Sequence, residues 1–95
     1  MTKADIVDVV AQGTGLTKLE TEAVIEGYFR CVIEALSSGQ SIEIRGFGTY
    51  KTKKKAARFA RNPKTGEKVH VPEHHVPVFK FSKDFKQQVQ EGMSK

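Results

Sequence analysis

Ninety-five residues, 38% of them hydrophobic, make one domain with a marginal core of its own. No run of about 18 apolar residues occurs, which excludes a transmembrane helix, and the single cysteine, Cys31, excludes an internal disulfide and fits a reducing compartment. The net charge of +5 is unevenly spread: residues 1–44 carry three Lys or Arg against seven Asp or Glu, whereas residues 45–80 carry ten against two. An acidic body bearing a basic limb implies one surface meant for a polyanion. A basic run can also be solvated surface, but here the cations fall in the segment that reads as an extended arm.

The chain enters a helical pattern at once, with no apolar signal segment, so a cytoplasmic location is expected. Thr2 and Asp5 fit a capping pair, and Ile6, Val9 and Val10 form an apolar stripe that Gly13 and Gly15 end. Thr17 and Glu20 form a second capping box, opening a longer helix that runs to Ser37-Ser38-Gly39. Its apolar face repeats at Ile25, Phe29, Val32 and Leu36, widened by Val24, Tyr28, Cys31 and Ala35. Two helices with a broad apolar side therefore make an αα-hairpin, and Cys31 is expected to be a small core residue.

Alternation then takes over. Residues 41–45 read as a strand with Ile42 and Ile44 on one side, and Gly46-Phe47-Gly48 as a tight turn around one aromatic. The next strand becomes strongly basic at residues 51–55. Val69-His70-Val71 returns, and residues 76–81 form the last strand, with Phe79 and Phe81 on one face. Ser82 can cap a final helix in which Phe85 and Val89 face inward, and residues 90–95 read as a frayed tail. The fold class is α+β.

Between the basic strand and its return lies Arg61-Asn62-Pro63-Lys64-Thr65-Gly66-Glu67, which reads as the tip of a long β-hairpin. Asn62 suits the first position of a β-turn, Pro63 pre-sets φ for the second, and Gly66 supplies a positive φ. The result is a stiff turn with an apolar wedge, ringed by Arg58, Arg61, Lys64 and Lys68. Such a wedge suits entry into a DNA groove and insertion at a base step, although any soluble hairpin also needs a turn. A ribbon spanning about 52–75 contributes nothing to the core and is barely stable alone. The remaining residues carry a wide apolar helix face, for which dimerisation is the expected remedy.

These residues resemble a known family. Gly46-Phe47-Gly48-Thr49, Ala56-Ala57-Arg58, the tip itself and Val76-Pro77 followed by Phe79 are closely similar to the HU/IHF family of bacterial histone-like DNA-binding proteins, over residues 1–90. The resemblance implies an intertwined dimer: a helical base, a small antiparallel sheet as saddle, and two β-arms wrapping the minor groove of double-stranded DNA. It implies that Pro63 intercalates, that Arg58 and Arg61 track the groove, and that Asn62 and Lys64 belong to the same tip. Lys53 and Lys55 match basic positions at the saddle or arm base, with Lys80 nearby. Lys83 and Lys86 match contacts to flanking phosphates. Phe47 and Phe79 match the aromatic dimer core, to which Phe29 is added from the helix face. The implied function is architectural: nonspecific binding, bending and compaction of duplex DNA in the nucleoid. The alternative is a sequence-preferring bender nearer IHF, and the partner can be an identical chain or a paralogue.

Three departures from the family pattern stand out. Ser82 replaces a common glycine. Phe59 and Ala60 replace a more polar, glycine-containing pair, and Phe59 is expected to pack against Val69 or Val71 across the ribbon, with contact to DNA sugars as the alternative. Pro72 on the return strand suggests an edge or a bulge. His70, His74, His75 and Cys31 do not make a zinc set, because His74 and His75 are neighbours that point to opposite faces of a strand. No metal or other cofactor and no small-molecule substrate is expected. The histidines add partial positive charge to the arm at lower pH. No nucleophile–base pair, phosphate-binding glycine loop or carboxylate constellation is evident, so no enzyme is expected.

Overall fold

The computed structural model describes residues 1–94, which fall into two compact units, Met1–Ala35 and the chain from Leu36 onward.

The first unit is the helical hairpin. α1 (Lys3–Thr14) starts at Thr2, whose hydroxyl accepts from the Asp5 N–H while the Asp5 carboxylate accepts from the Thr2 N–H at 2.8 Å. It stops at Gly15, where φ is +78° and the N–H donates to the Ala11 carbonyl. α2 (Lys18–Ser37) starts the same way: the Glu20 carboxylate accepts from the Thr17 N–H at 3.1 Å and from its hydroxyl at 2.8 Å. These bonds hold the Glu20 carboxyl below its ordinary value of 4.5. The helices run antiparallel, with Lys3 reaching Glu26 at 2.8 Å and Lys18 reaching Asp8 at 3.2 Å. The hydrogen bond and charge of Lys3 lower the Glu26 carboxyl, and Glu26 raises the Lys3 ammonium in turn. Both pairs are open to water and add little stability.

Within one chain this unit has almost no core. Val7, Ala11 and Thr21 are its buried residues, and the Thr21 hydroxyl is satisfied by the Thr17 carbonyl at 2.8 Å. Val24, Tyr28, Phe29 and Ile33 all stay exposed. Cys31, expected inside, is exposed too, because its face has no cover in a single chain.

The second unit is an antiparallel sheet with a helix. β1 (Ile42–Ile44), β2 (Gly48–Lys55) and β5 (His74–Phe81) lie in the order β1-β2-β5, and β3 (Arg58–Arg61) pairs with β4 (Lys68–Val71). β1 covers only the first three residues of β2, so the hairpin is two-stranded beyond Tyr50 and Phe79. Gly46 turns the chain with φ +79°, and Gly48 lies so close to the Phe79 ring and the Lys80 carbonyl that no side chain fits there.

A chain of ring contacts then backs the sheet: Phe47 on Phe79 and Phe85, Tyr50 on Phe79, and Phe81 on both Phe79 and Phe85, with centroids 4.7–5.5 Å apart. The Phe47 carbonyl accepts from the Ser82 N–H at 2.9 Å, tying the β1–β2 turn to α3 (Lys83–Met93). Ser82, at the position where glycine is common, caps that helix: its hydroxyl accepts from the Phe85 N–H at 3.0 Å. The frayed tail expected from residue 90 is instead helical to Met93. Among the described residues no helix is long and apolar enough to cross a membrane.

Candidate nucleic-acid interface

Strand alternation sorts the sheet into unlike faces. Ile42, Ile44, Tyr50, Phe79 and Phe81 share the side that carries the rings. Thr49, Lys51, Lys53, Lys55 and Lys80 share the other, with Glu43 at its margin and half-buried Val76 and Val78 between the lysines. Successive lysines on β2 stand about 7 Å apart along the strand. Among the described residues Lys53 and Lys55 form no ion pair, whereas Lys54, on the opposite face, meets Glu73 at 3.2 Å. The lysine row is therefore free to meet an anion.

At the margin of this face an open hollow of about 360 Å³ is lined by Glu43, Arg45, Thr49, Lys80, Ser82 and Lys83, among others. Lys80 and Lys83 are thus brought together, and Lys86 lies three residues on along the same side of α3.

Further out, ladder pairing stops at residues 56–57 on one strand and 72–73 on the other, then resumes with Arg58 opposite Val71. The interruption is equal on both strands, so the register carries through. Pro72 therefore marks a symmetric break in the ladder rather than a bulge, which would add a residue to one strand alone. Arg58 and Arg61, three apart on β3, stand on opposite faces of the distal ribbon and cannot form one row.

The same register corrects the expected partner of Phe59. Phe59 pairs with His70, ring centroids 5.2 Å apart, while Val69 and Val71 lie on the other side opposite Ala60 and Arg58. Cross-strand packing by Phe59 holds; the partner differs because a strand's period of two sends alternate residues to opposite faces.

The tip is closed by backbone. Asn62 N–H donates to the Glu67 carbonyl at 2.8 Å, and Gly66 N–H donates to the Asn62 carbonyl at 2.7 Å. The second bond spans five residues, making the turn an α-turn rather than a simple β-turn. Asn62 Oδ1 accepts from the Lys64 N–H at 2.9 Å, and Gly66 takes φ +73°. Asn62 is thereby committed to shaping the turn, and Pro63 and Lys64 are left exposed at its apex.

The family model described as bacterial DNA-binding protein matches residues 1–90. The chain belongs to that family. It is 40% identical to DNA-binding protein HU of Clostridium pasteurianum over 89 residues, covering 94% of this chain and 98% of that one. It is also 40% identical to the integration host factor β-subunit of Marinobacter nauticus, across 100% of this chain and 98% of that one. Among solved structures, an Anabaena HU–DNA cocrystal superposes with a TM-score of 0.89 at 39% identity, covering 94% of this chain and 97% of that chain. Members of the HU/IHF family are structural DNA-binding proteins, not enzymes.

Sequence reasoning named the tip and the lysines but missed the Phe59–His70 stack and the contact of His74 Nδ1 with the Pro72 carbonyl oxygen at 2.9 Å. The first was available by counting back from the turn, since the tip sets the distal register. The second depends on local backbone shape at the ladder break and left no signal in the residues.

Proposed function

We propose that this chain is an architectural DNA-binding protein. Two copies pair through their apolar faces, and the paired arms enter the minor groove and bend the duplex, each wedging Pro63 into a base step. The observation that carries the reading is the tip: a proline held at the apex of a turn closed by three hydrogen bonds, at the end of a ribbon whose base presents a one-sided lysine row. The unstacking cost of a few kcal/mol per step is offset by the wider contact that bending allows.

Pairing is supported by what a single chain leaves uncovered. Phe29 and Phe47 are 42% and 40% exposed, and a chain with so little buried apolar surface gains its core from a second copy. The partner is an identical chain, with a paralogue as the other outcome. Phe29, Phe47 and Phe79 belong to the shared core, and residues 1–95 act as one domain with the arm at about 52–75.

Lys53, Lys55, Lys80, Lys83 and Lys86 serve phosphates, with Arg58, Arg61 and Lys64 along the arm and Asn62 holding its tip. Phosphate contacts carry no sequence information, and the minor groove distinguishes little beyond A·T from G·C. Binding is therefore broad, with a preference for easily kinked DNA, and places the protein in the nucleoid. A sequence-preferring role like that of an integration host factor is the alternative; equal affinity for random and selected duplexes excludes it.

The test is bending, followed by energy transfer between dyes at the ends of a duplex. Pro63→Ala is expected to keep much of the affinity for linear DNA and to lose the bend. A variant that bends DNA as well as the parent chain removes Pro63 from the mechanism.

A further inference from the structure

The two sides of the distal ribbon are chemically unequal. Phe59, Arg61, Lys68 and His70 share one side, while Arg58, Ala60, Val69 and Val71 share the other. Glu67, next along from Lys68, alternates onto the second side, so the first holds two cations and no ladder carboxylate. Phe59 is 71% exposed, and His70 is its ring partner, the planes inclined at 58°. That contact holds the imidazole beside Lys68 on its own strand and diagonally across from Arg61.

We propose that His70 is a further DNA-contacting residue of the arm: positioned by Phe59, its imidazolium meets a backbone phosphate and extends the track of Arg61 and Lys68. The proposal rests on the DNA-binding reading above and adds to it a dependence on pH. A polyanion favours the charged form of an imidazole set against it, so binding takes up a proton.

The other arm histidines are placed differently. His74 Nδ1 is engaged with the Pro72 carbonyl oxygen and its residue pairs with Lys55; His75 pairs with Lys54, which is already bonded to Glu73. Around His70 itself stand Phe59, Arg61 and Lys68, with Arg58 and Glu67 on the reverse side.

The experiment measures binding of the whole chain to a random-sequence duplex across a salt series at pH 8 and pH 6. Each phosphate contact adds about 0.9 to the slope of log affinity against log salt. The parent chain is expected to bind at both pH values and to show the steeper slope at pH 6, by about one for each arm engaged. His70→Phe keeps a ring against Phe59 and is expected to lose that steepening while matching the parent at pH 8. His70→Lys is expected to show the steeper slope at both pH values, and His74→Gln with His75→Gln to behave as the parent.

A His70→Phe chain that keeps the parental difference between pH 6 and pH 8 overturns the proposal. So does a His70→Phe chain weakened equally at both, which reports packing alone, or a His70→Lys chain with no added slope at pH 8. A parent chain that fails to bind duplex at pH 8 overturns the DNA-binding reading instead, a result distinct from all of these.

Discussion

The near and far ends of the hairpin use the same kind of paired strands but are stabilised by different means. At the near end β2 and β5 belong to a three-stranded sheet backed by Phe47, Tyr50, Phe79, Phe81 and Phe85. At the far end β3 and β4 pair alone, and order comes from the Asn62 and Gly66 bonds of the turn and from one exposed ring pair. A two-stranded ribbon is marginal in water, and the exposed Lys54–Glu73 pair between the two ends adds little. The difference lies in the source of order: packing holds the base, while the tip is shaped by the bonds of its own turn.

That contrast can be broken experimentally. The largest effect is expected at Gly48, where an added methyl group meets the Phe79 ring and comes within 2.5 Å of the Lys80 carbonyl oxygen. Gly48→Ala should destabilise the protein by about 1–3 kcal/mol in urea unfolding; an unchanged midpoint refutes the claim that the base is held by close packing. Next come Lys53→Ala and Lys55→Ala, each expected to flatten the salt slope of DNA binding by about one or less for each copy engaged. Unchanged slopes would take these lysines off the phosphate track. Phe59→Ala, at the far end, is expected to leave global stability within about 0.5 kcal/mol of the parent, because the ring is already solvated. A loss comparable to that of Gly48→Ala would show that the two ends are one cooperative structure.

The smallest effect lies outside the hairpin, at the start of α2. Glu20 titrates below 4.5 when folded because the Thr17 hydroxyl and N–H bond its carboxylate. A depressed carboxyl contributes stability above its unfolded value and loses it as pH falls through the folded one. Glu20→Gln should therefore flatten acid unfolding slightly below about pH 4.5 and change little at pH 7, as read by helical circular dichroism. An unchanged acid profile would deny the capping box any part in acid stability.

Much of this was legible in the residues because the signals were local. Thr2 with Asp5, Thr17 with Glu20, and Ser82 announce helix starts through one side chain's reach to a nearby N–H. Asn62, Pro63 and Gly66 announce the turn for the same reason. What failed was set at a distance or by counting. The partner of Phe59 depends on strand parity measured from the turn, and Pro72 leaves an edge and a bulge both open because proline's missing donor does not say whether the opposite strand pauses too; the register keeps the edge and removes the bulge. Cys31 was placed inside on the strength of an apolar face whose cover a single chain does not supply. For the candidate site, Lys53 and Lys55 came from the family resemblance, whereas their shared face and the separation of Arg58 from Arg61 needed the register.

The unpaired junction at residues 56–57 and 72–73 makes the tip a transplantable part. Its alignment comes from Asn62 and Glu67, and that of the base comes from the sheet, so neither reads the length between them. Matched residues added at the junction would lengthen the reach of the finger, and an odd one would swivel its cationic side, with both flanking ladders kept intact.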